Sequence, residues 1–405
     1  MIKLKTLAVN LGMIFASLFV GVAIAEVGAR IAGLEGLKKM PESTHAEFYP
    51  TFHTIPHPVR GWEYRGNVSG WWTSEGKAYL EFNSHGLRGP EITKAKPENT
   101  LRIAVLGDSF TSAVQISYQQ TFVAVMEKEL GKCVDLKSQK VEVINFGVDG
   151  YGTAQQLLTL REKVWDFQPD IVLLAFFMGN DVTDNSRKLE NNHYRPFFVY
   201  ENGKLELDLS FRQLTISQAN RYMITTVDKL PTWLVNNVRI LQIIKKVEAD
   251  QRKRNAARHF ENLQANNFRE PPNYAWKEAW KITDELIGIM AKEVQEKGAE
   301  FKVATVMTPM QVHPHKGWRE GYMKIMNIQD WLYPIKRLQN LGETYNFSVI
   351  DLVEPFDDYV AENPVCVHGF KNTAMCAGHW NATGHKLAGE IIAENLCKGL
   401  RGVGE

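Results

Sequence analysis

Residues 7–25 form an almost unbroken apolar run in which only Asn10 and Ser17 are polar, with Lys3 and Lys5 ahead of it. That length is about the 20 residues an α-helix needs to cross a bilayer. The leading charges place the first residues in the cytoplasm and everything after Glu26 on the far side. Residues 1–33 are therefore read as a single-pass anchor in a cell inner membrane, with the bulk of the chain periplasmic. Ala23-Ile24-Ala25 also offers a small-residue cleavage site, and cleavage there would release a secreted protein. The length of the run and the helix-compatible sequence through Ile31 favour retention.

Further on the periodicity changes twice. Residues 34–97 are rich in Trp, Tyr, Gly and Pro and carry strand-length runs between turn signals, which predicts a β-containing extension. From Arg102 onward, continuous apolar runs alternate with amphipathic stretches. The runs at 103–106, 141–146, 171–177, 301–307 and 347–352 suit strands buried on both faces of a parallel sheet. Helices are predicted at 119–130, 154–165, 276–297 and 384–398. The pattern predicts an α/β fold: a three-layer α/β/α sandwich around a five-stranded, mainly parallel sheet, built from residues 98–187 and 283–400. Residues 188–282 break the alternation and read as an insertion, a candidate lid that opens with a hairpin around Asn202-Gly203. A basic run follows at Lys245, Lys246, Arg252, Lys253, Arg254 and Arg258, and a solvated helix face explains it most simply.

A formal net charge of +1 gives no basis for a nucleic-acid partner held by general electrostatics. Export would place the four cysteines in an oxidising compartment. Cys366 and Cys376 share one loop and are the natural pair; four buried thiols are the alternative. No cysteine spacing fits zinc, and no carboxylate or cysteine completes a set around His313-Pro314-His315, so neither metal nor cofactor is expected.

Candidate chemistry gathers at predicted strand ends. Strand 103–106 runs into Gly107-Asp108-Ser109, putting a serine where open α/β sheets bind ligands and a helix N-terminus favours negative charge. Alone, this could be a turn with a capping Asp or Ser. The next two strands end in Asn145-Phe146-Gly147-Val148-Asp149-Gly150 and Met178-Gly179-Asn180-Asp181. Together these ends offer a hydroxyl, backbone N–H groups and a side-chain amide, the parts of a nucleophile and oxyanion hole. Near the C-terminus stands His379-Trp380-Asn381-Ala382-Thr383-Gly384-His385.

In these blocks the chain resembles the SGNH (GDSL-type) hydrolase superfamily. The resemblance implies a flavodoxin-like sandwich, Ser109 as nucleophile and first oxyanion donor, Gly150 and Asn180 as the other donors, and His379 as general base. His385 is expected to begin the last helix and Asp108 to brace the nucleophile turn. The family's orienting acid usually stands two or three residues before the histidine, where this chain has Ala377 and Cys376. Asp351, Asp357, Asp358 or a backbone carbonyl could take that role, with Asp351 favoured, or the site could be a Ser–His dyad. The implied activity is hydrolysis of an ester-linked acyl group on a carbohydrate or lipid. An O-acyltransferase acting on exported polysaccharide and a non-catalytic glycan-binding protein are the alternatives.

Overall fold

The computed structural model describes residues 2–36, 52–133, 136, 139–214 and 225–401. They fall into two units: Met1–Glu47 with Thr215–Phe260, and Phe48–Leu214 with Glu261–Glu405. The first contains helix α1, Ile2–Ile31. Its segment Gly12–Ile31 has a mean hydropathy of 1.9 and is only 6% buried. Toward its end, the Glu26 carboxylate accepts from the N–H groups of Arg239 (2.8 Å) and Ile240 (2.9 Å). These belong to the first turn of the helix Arg239–Ala265, where N–H groups lack partners within the helix. Of the basic run, Lys245 pairs with Asp228 at 2.8 Å and Lys246 is exposed. The side chains of Lys253, Arg254 and Arg258 lie outside the described residues.

The second unit begins with two antiparallel hairpins, β1 (Thr54–His57) with β2 (Gly61–Tyr64), and β3 (Val68–Trp72) with β4 (Ala78–Phe82). In β4, Ala78, Leu80 and Phe82 are buried while Tyr79 and Glu81 face solvent, the alternation of a sheet with one covered face. The buried side joins Trp62, Tyr64, Val114, Val148 and Tyr151 in a small core of its own.

Five parallel strands form the main sheet: β5 (Thr100–Leu106), β6 (Lys140–Asn145), β7 (Ile171–Phe177), β10 (Glu300–Val306) and β11 (Ser348–Ile350), in the order β11-β10-β7-β5-β6. All seven residues of β7 are buried, as its unbroken apolar sequence requires. Between β7 and β10 lies the hairpin β8–β9 (Phe197–Glu201, Lys204–Asp208), turning at Asn202 and Gly203, both with positive φ. The last strands, β12 (His368–Gly369) and β13 (Met375–Trp380), pair antiparallel.

Helices Phe122–Leu130 and Ala382–Arg401 pack together, as do Thr153–Glu162, Tyr274–Glu296 and Tyr333–Tyr345, giving a helical layer on each side of the sheet. The three-layer sandwich is thus observed, with strand limits within three residues of those predicted: β7 coincides and β5 starts three residues early. Strand β11 stops at Ile350, two residues short of the prediction, because Asp351 turns the chain into the helix Val353–Glu362 by accepting from Val353 N–H at 2.8 Å.

All four cysteines are paired. Cys366–Cys376 closes the expected loop, and Cys133–Cys397 joins positions 264 residues apart. Sequence spacing has no means of revealing the second bridge.

Candidate active site

Ser109 opens the four-residue helix α2 (Ser109–Ser112) directly after β5, so its N–H is among those a helix leaves free. Asp108 caps that helix, its Oδ1 accepting from Phe110 N–H at 2.9 Å. Burial outweighs this bond and pushes the Asp108 pKa up to about 7. At the other end of α2, buried Arg88 donates to the carbonyls of Ser112 (2.7 Å), Ala113 and Ile116. Arg88 comes from the Gly-rich turn after β4, so the N-terminal extension braces the helix that carries Ser109.

The second block is tied to the first by Asn145, which donates to Thr111 O at 2.7 Å and accepts from Gly147 N–H at 2.9 Å. The extension holds this block too. Trp62 Nε1 donates to Asp149 O, and Asp149 N–H donates to Tyr64 Oη, both at 2.9 Å. Gly150 sits at φ +73° with its carbonyl taken by Arg195 at 2.9 Å. In the third block, buried Asn267 donates to the carbonyls of Met178 (2.9 Å) and Gly179 (3.0 Å), fixing the segment that carries Asn180. The Asn180 Oδ1 is buried without a hydrogen-bond partner among the described residues.

His379 lies on β13 rather than in a loop, and its Nε2 is 2.8 Å from Ser109 Oγ. On the far side of the ring stands Glu75, from the turn between β3 and β4. Its Oε2 is 2.5 Å from His379 Nδ1, and its Oε1 accepts the His379 backbone N–H at 3.0 Å. Both carboxylate oxygens therefore hold the histidine, one on its ring and one on its main chain.

The expected acid is corrected accordingly. Asp351 does stand at a strand end, but its Oδ1 is engaged by Thr305 Oγ1 (3.2 Å) and Val353 N–H (2.8 Å). It is a helix-entry residue. Asp357 pairs with Arg319. Glu75 escaped sequence reasoning because it lies 304 residues from His379 in a Ser-Glu-Gly turn like any other. Its only prior signal was the presence of an aromatic-rich extension with no role assigned to it.

Electrostatics follow from this pairing. Burial of the imidazole works against its charge, yet the hydrogen bond and charge of Glu75, with Asp108 and Asp149 nearby, raise the His379 pKa above its ordinary 6.5. Burial would raise the Glu75 pKa as well, but its bonds to His379 hold it below the ordinary carboxylate value. The two other histidines nearby are different. Burial pushes His368 down to about 3 and His385 well below 6.5, so both stay neutral. His385 sits inside the last helix and accepts from Phe122 N–H at 3.3 Å through Nδ1.

A neutral imidazole that donates from Nδ1 to a carboxylate has its lone pair on Nε2, aimed here at the serine hydroxyl. Such an arrangement can take the hydroxyl proton and stabilise the imidazolium that results. No group of three or more His, Cys, Asp or Glu arranged to hold a metal occurs among the described residues.

No protein-family model matches the chain, and no curated protein does. Solved structures do match. An acetyl xylan esterase aligns at 14% identity and a TM-score of 0.36, over 73% of this chain and 100% of its own. A lipase/acylhydrolase from Enterococcus faecalis aligns at 15% and 0.37, over 74% and 96%. An acetylxylan esterase from Geobacillus stearothermophilus aligns at 10% and 0.35, over 74% and 94%. At such scores the functional reading rests on the geometry of the site.

Proposed function

We propose that this chain is a serine esterase of the SGNH type that cleaves an ester-linked acyl group from a carbohydrate or lipid, anchored by α1 with its catalytic unit outside the cytoplasm. The observation that carries the reading is the unbroken chain from Ser109 Oγ to His379 Nε2 at 2.8 Å and from His379 Nδ1 to Glu75 Oε2 at 2.5 Å.

Ser109 Oγ attacks the ester carbonyl as its proton passes to His379 Nε2. The oxyanion is received by the N–H groups of Ser109 and Gly150 and the amide of Asn180. The imidazolium then protonates the departing alcohol, leaving an acyl-Ser109 ester. Water attacks that ester and gives its proton to His379, which returns it to the departing Ser109 Oγ as the carboxylic acid is released. Glu75 carries no proton in this cycle; it fixes the tautomer and supports the imidazolium. The anchor reading is supported by the apolar, exposed segment Gly12–Ile31.

The test is hydrolysis of p-nitrophenyl acetate and butyrate by the detergent-solubilised full chain beside Ser109→Ala and His379→Ala. Loss of turnover in both variants supports the reading. Equal rates in all three proteins, or no turnover in any, would refute it.

A further inference from the structure

Base and acid come from separate hairpins, so something must hold the two in register. The β3–β4 turn presents Glu75, and the β12–β13 hairpin presents His379. A carboxylate on a flexible turn gives little orientation, because a misplacement near 1 Å is enough to cost about 100-fold in rate.

Beyond the bonds of Glu75 itself to His379, one side chain at the tip of the second hairpin bonds the main chain of the first. Asn372 Oδ1 accepts the Gly76 N–H at 2.9 Å, while Asn372 Nδ2 donates to Gly76 O at 2.9 Å and Thr73 O at 3.1 Å. These three bonds grip the main chain on both sides of Glu75. The rest of the contact is shaped to match. Gly76 takes φ +67°, and a Cβ there would strike the Gln115 carbonyl. Gly378 takes φ +71°, and a Cβ there would strike the Glu75 carboxylate itself. Cys376, also at positive φ, ties the second hairpin to Cys366. The Trp72 indole completes the grip from within the first hairpin, donating to Glu75 O at 2.9 Å.

We propose that Asn372 is a positioning residue of the active site: its carboxamide clamps the Thr73–Gly76 turn to the β12–β13 hairpin and so fixes the Glu75 carboxylate on His379. This rests on the Ser109–His379–Glu75 reading. Asn372 is exposed and touches neither the serine nor the histidine, so it acts only through Glu75. If it is lost, the flanking strands keep their packing on the small aromatic core, but the turn is freed and the Glu75 carboxylate is held to the imidazole less firmly.

That distinction has a readout that a merely structural role would not move. The titratable groups facing His379 are Glu75 from the β3–β4 turn, Asp108 from the turn before Ser109 and Asp149 from the β6 loop, with His368 and His385 nearby. Glu75 is the partner that bonds the ring directly. Loosening it lets the imidazole ionise at lower pH, so the acid limb of kcat/KM moves down even as its plateau falls.

The experiment measures kcat/KM against pH for the full chain in detergent, with Asn372→Ala, Asn372→Asp, Glu75→Gln and, as control, Thr373→Ala, whose native hydroxyl bonds Phe370 O. Asn372→Ala is expected to lose roughly 10- to 100-fold with its acid limb shifted downward and its melting temperature held. Asn372→Asp should do no better, since a carboxylate cannot donate to the two carbonyls; Thr373→Ala should match the native chain.

A native profile for Asn372→Ala beside an impaired Glu75→Gln overturns the clamp alone. A native profile for Glu75→Gln overturns the triad and the clamp together. Activity lost in Asn372→Ala with an unmoved limb and a lowered melting temperature overturns the positioning role. Should the Asn372 variants not fold, amide exchange in the native chain decides: slow exchange at Gly76 supports the clamp, and exchange at the free-peptide rate overturns it.

Discussion

Glu75 and His379 stand 304 residues apart in sequence and are joined by two hydrogen bonds, one to the ring and one to the main chain. The N-terminal extension is thereby part of the candidate active site. It supplies the acid through Glu75, braces α2 through Arg88 and holds the Asp149 turn through Trp62 and Tyr64.

Glu75→Gln keeps the shape of the side chain but removes its charge. A glutamine can present either its oxygen or its NH2 to Nδ1, and the wrong choice turns the Nε2 lone pair away from Ser109. The expected loss in kcat is about 10²- to 10⁴-fold with KM little changed, read by steady-state kinetics on p-nitrophenyl acetate. Asp351→Asn, by contrast, should leave turnover within about 3-fold of native, because that carboxylate serves Thr305 and Val353.

The pH dependence of the native chain follows in sign. His379 must be neutral to act as base, and Glu75 raises its pKa above the ordinary 6.5. The kcat/KM profile should therefore fall on the acid side with a midpoint above 6.5, and Glu75→Gln should move that midpoint downward. A midpoint already below 6.5 in the native chain would contradict the pairing.

Gly378→Ala combines an unfavourable φ with a methyl group placed on the Glu75 carboxylate. The strain alone costs about 1–3 kcal/mol, so a lowered melting temperature is expected together with at least a 10-fold fall in kcat/KM.

Much of the fold was legible because the signals involved are local. An unbroken apolar run such as 171–177 has one comfortable place, a strand covered on both faces, and Asn202-Gly203 supplies the positive φ values of a tight hairpin. The placement of Ser109, the Asn145 turn, Asn180 and His379 was legible for the same reason, since each lies at a strand end or in a short characteristic block. Glu75 and Cys133–Cys397 were not, because nothing near either records its partner. Asp351 misled for a physical reason: strand ends are also where carboxylates cap the next helix, and that competing use won.

Arg88 tests the extension's second contribution. Arg88→Met leaves the Ser112, Ala113 and Ile116 carbonyls without their buried donor, a cost of about 3 kcal/mol. Thermal melting should drop by several degrees, and kcat should fall as α2 loosens around Ser109.

Cys133–Cys397 pins the last helix to the chain beyond Phe122–Leu130. Replacing both cysteines by serine should cost about 2–5 kcal/mol, given the 264 residues between them, and lower the melting temperature with kcat nearly unchanged.

The central claim, that Ser109 is a nucleophile activated through His379 by Glu75, is tested most directly by covalent trapping with a fluorophosphonate and peptide mass spectrometry. One equivalent on Ser109 of the native chain, none in Ser109→Ala or His379→Ala, and labelling slowed at least 10-fold in Glu75→Gln is the predicted result. Label on another residue, or equal rates for the native chain and Glu75→Gln, would contradict it.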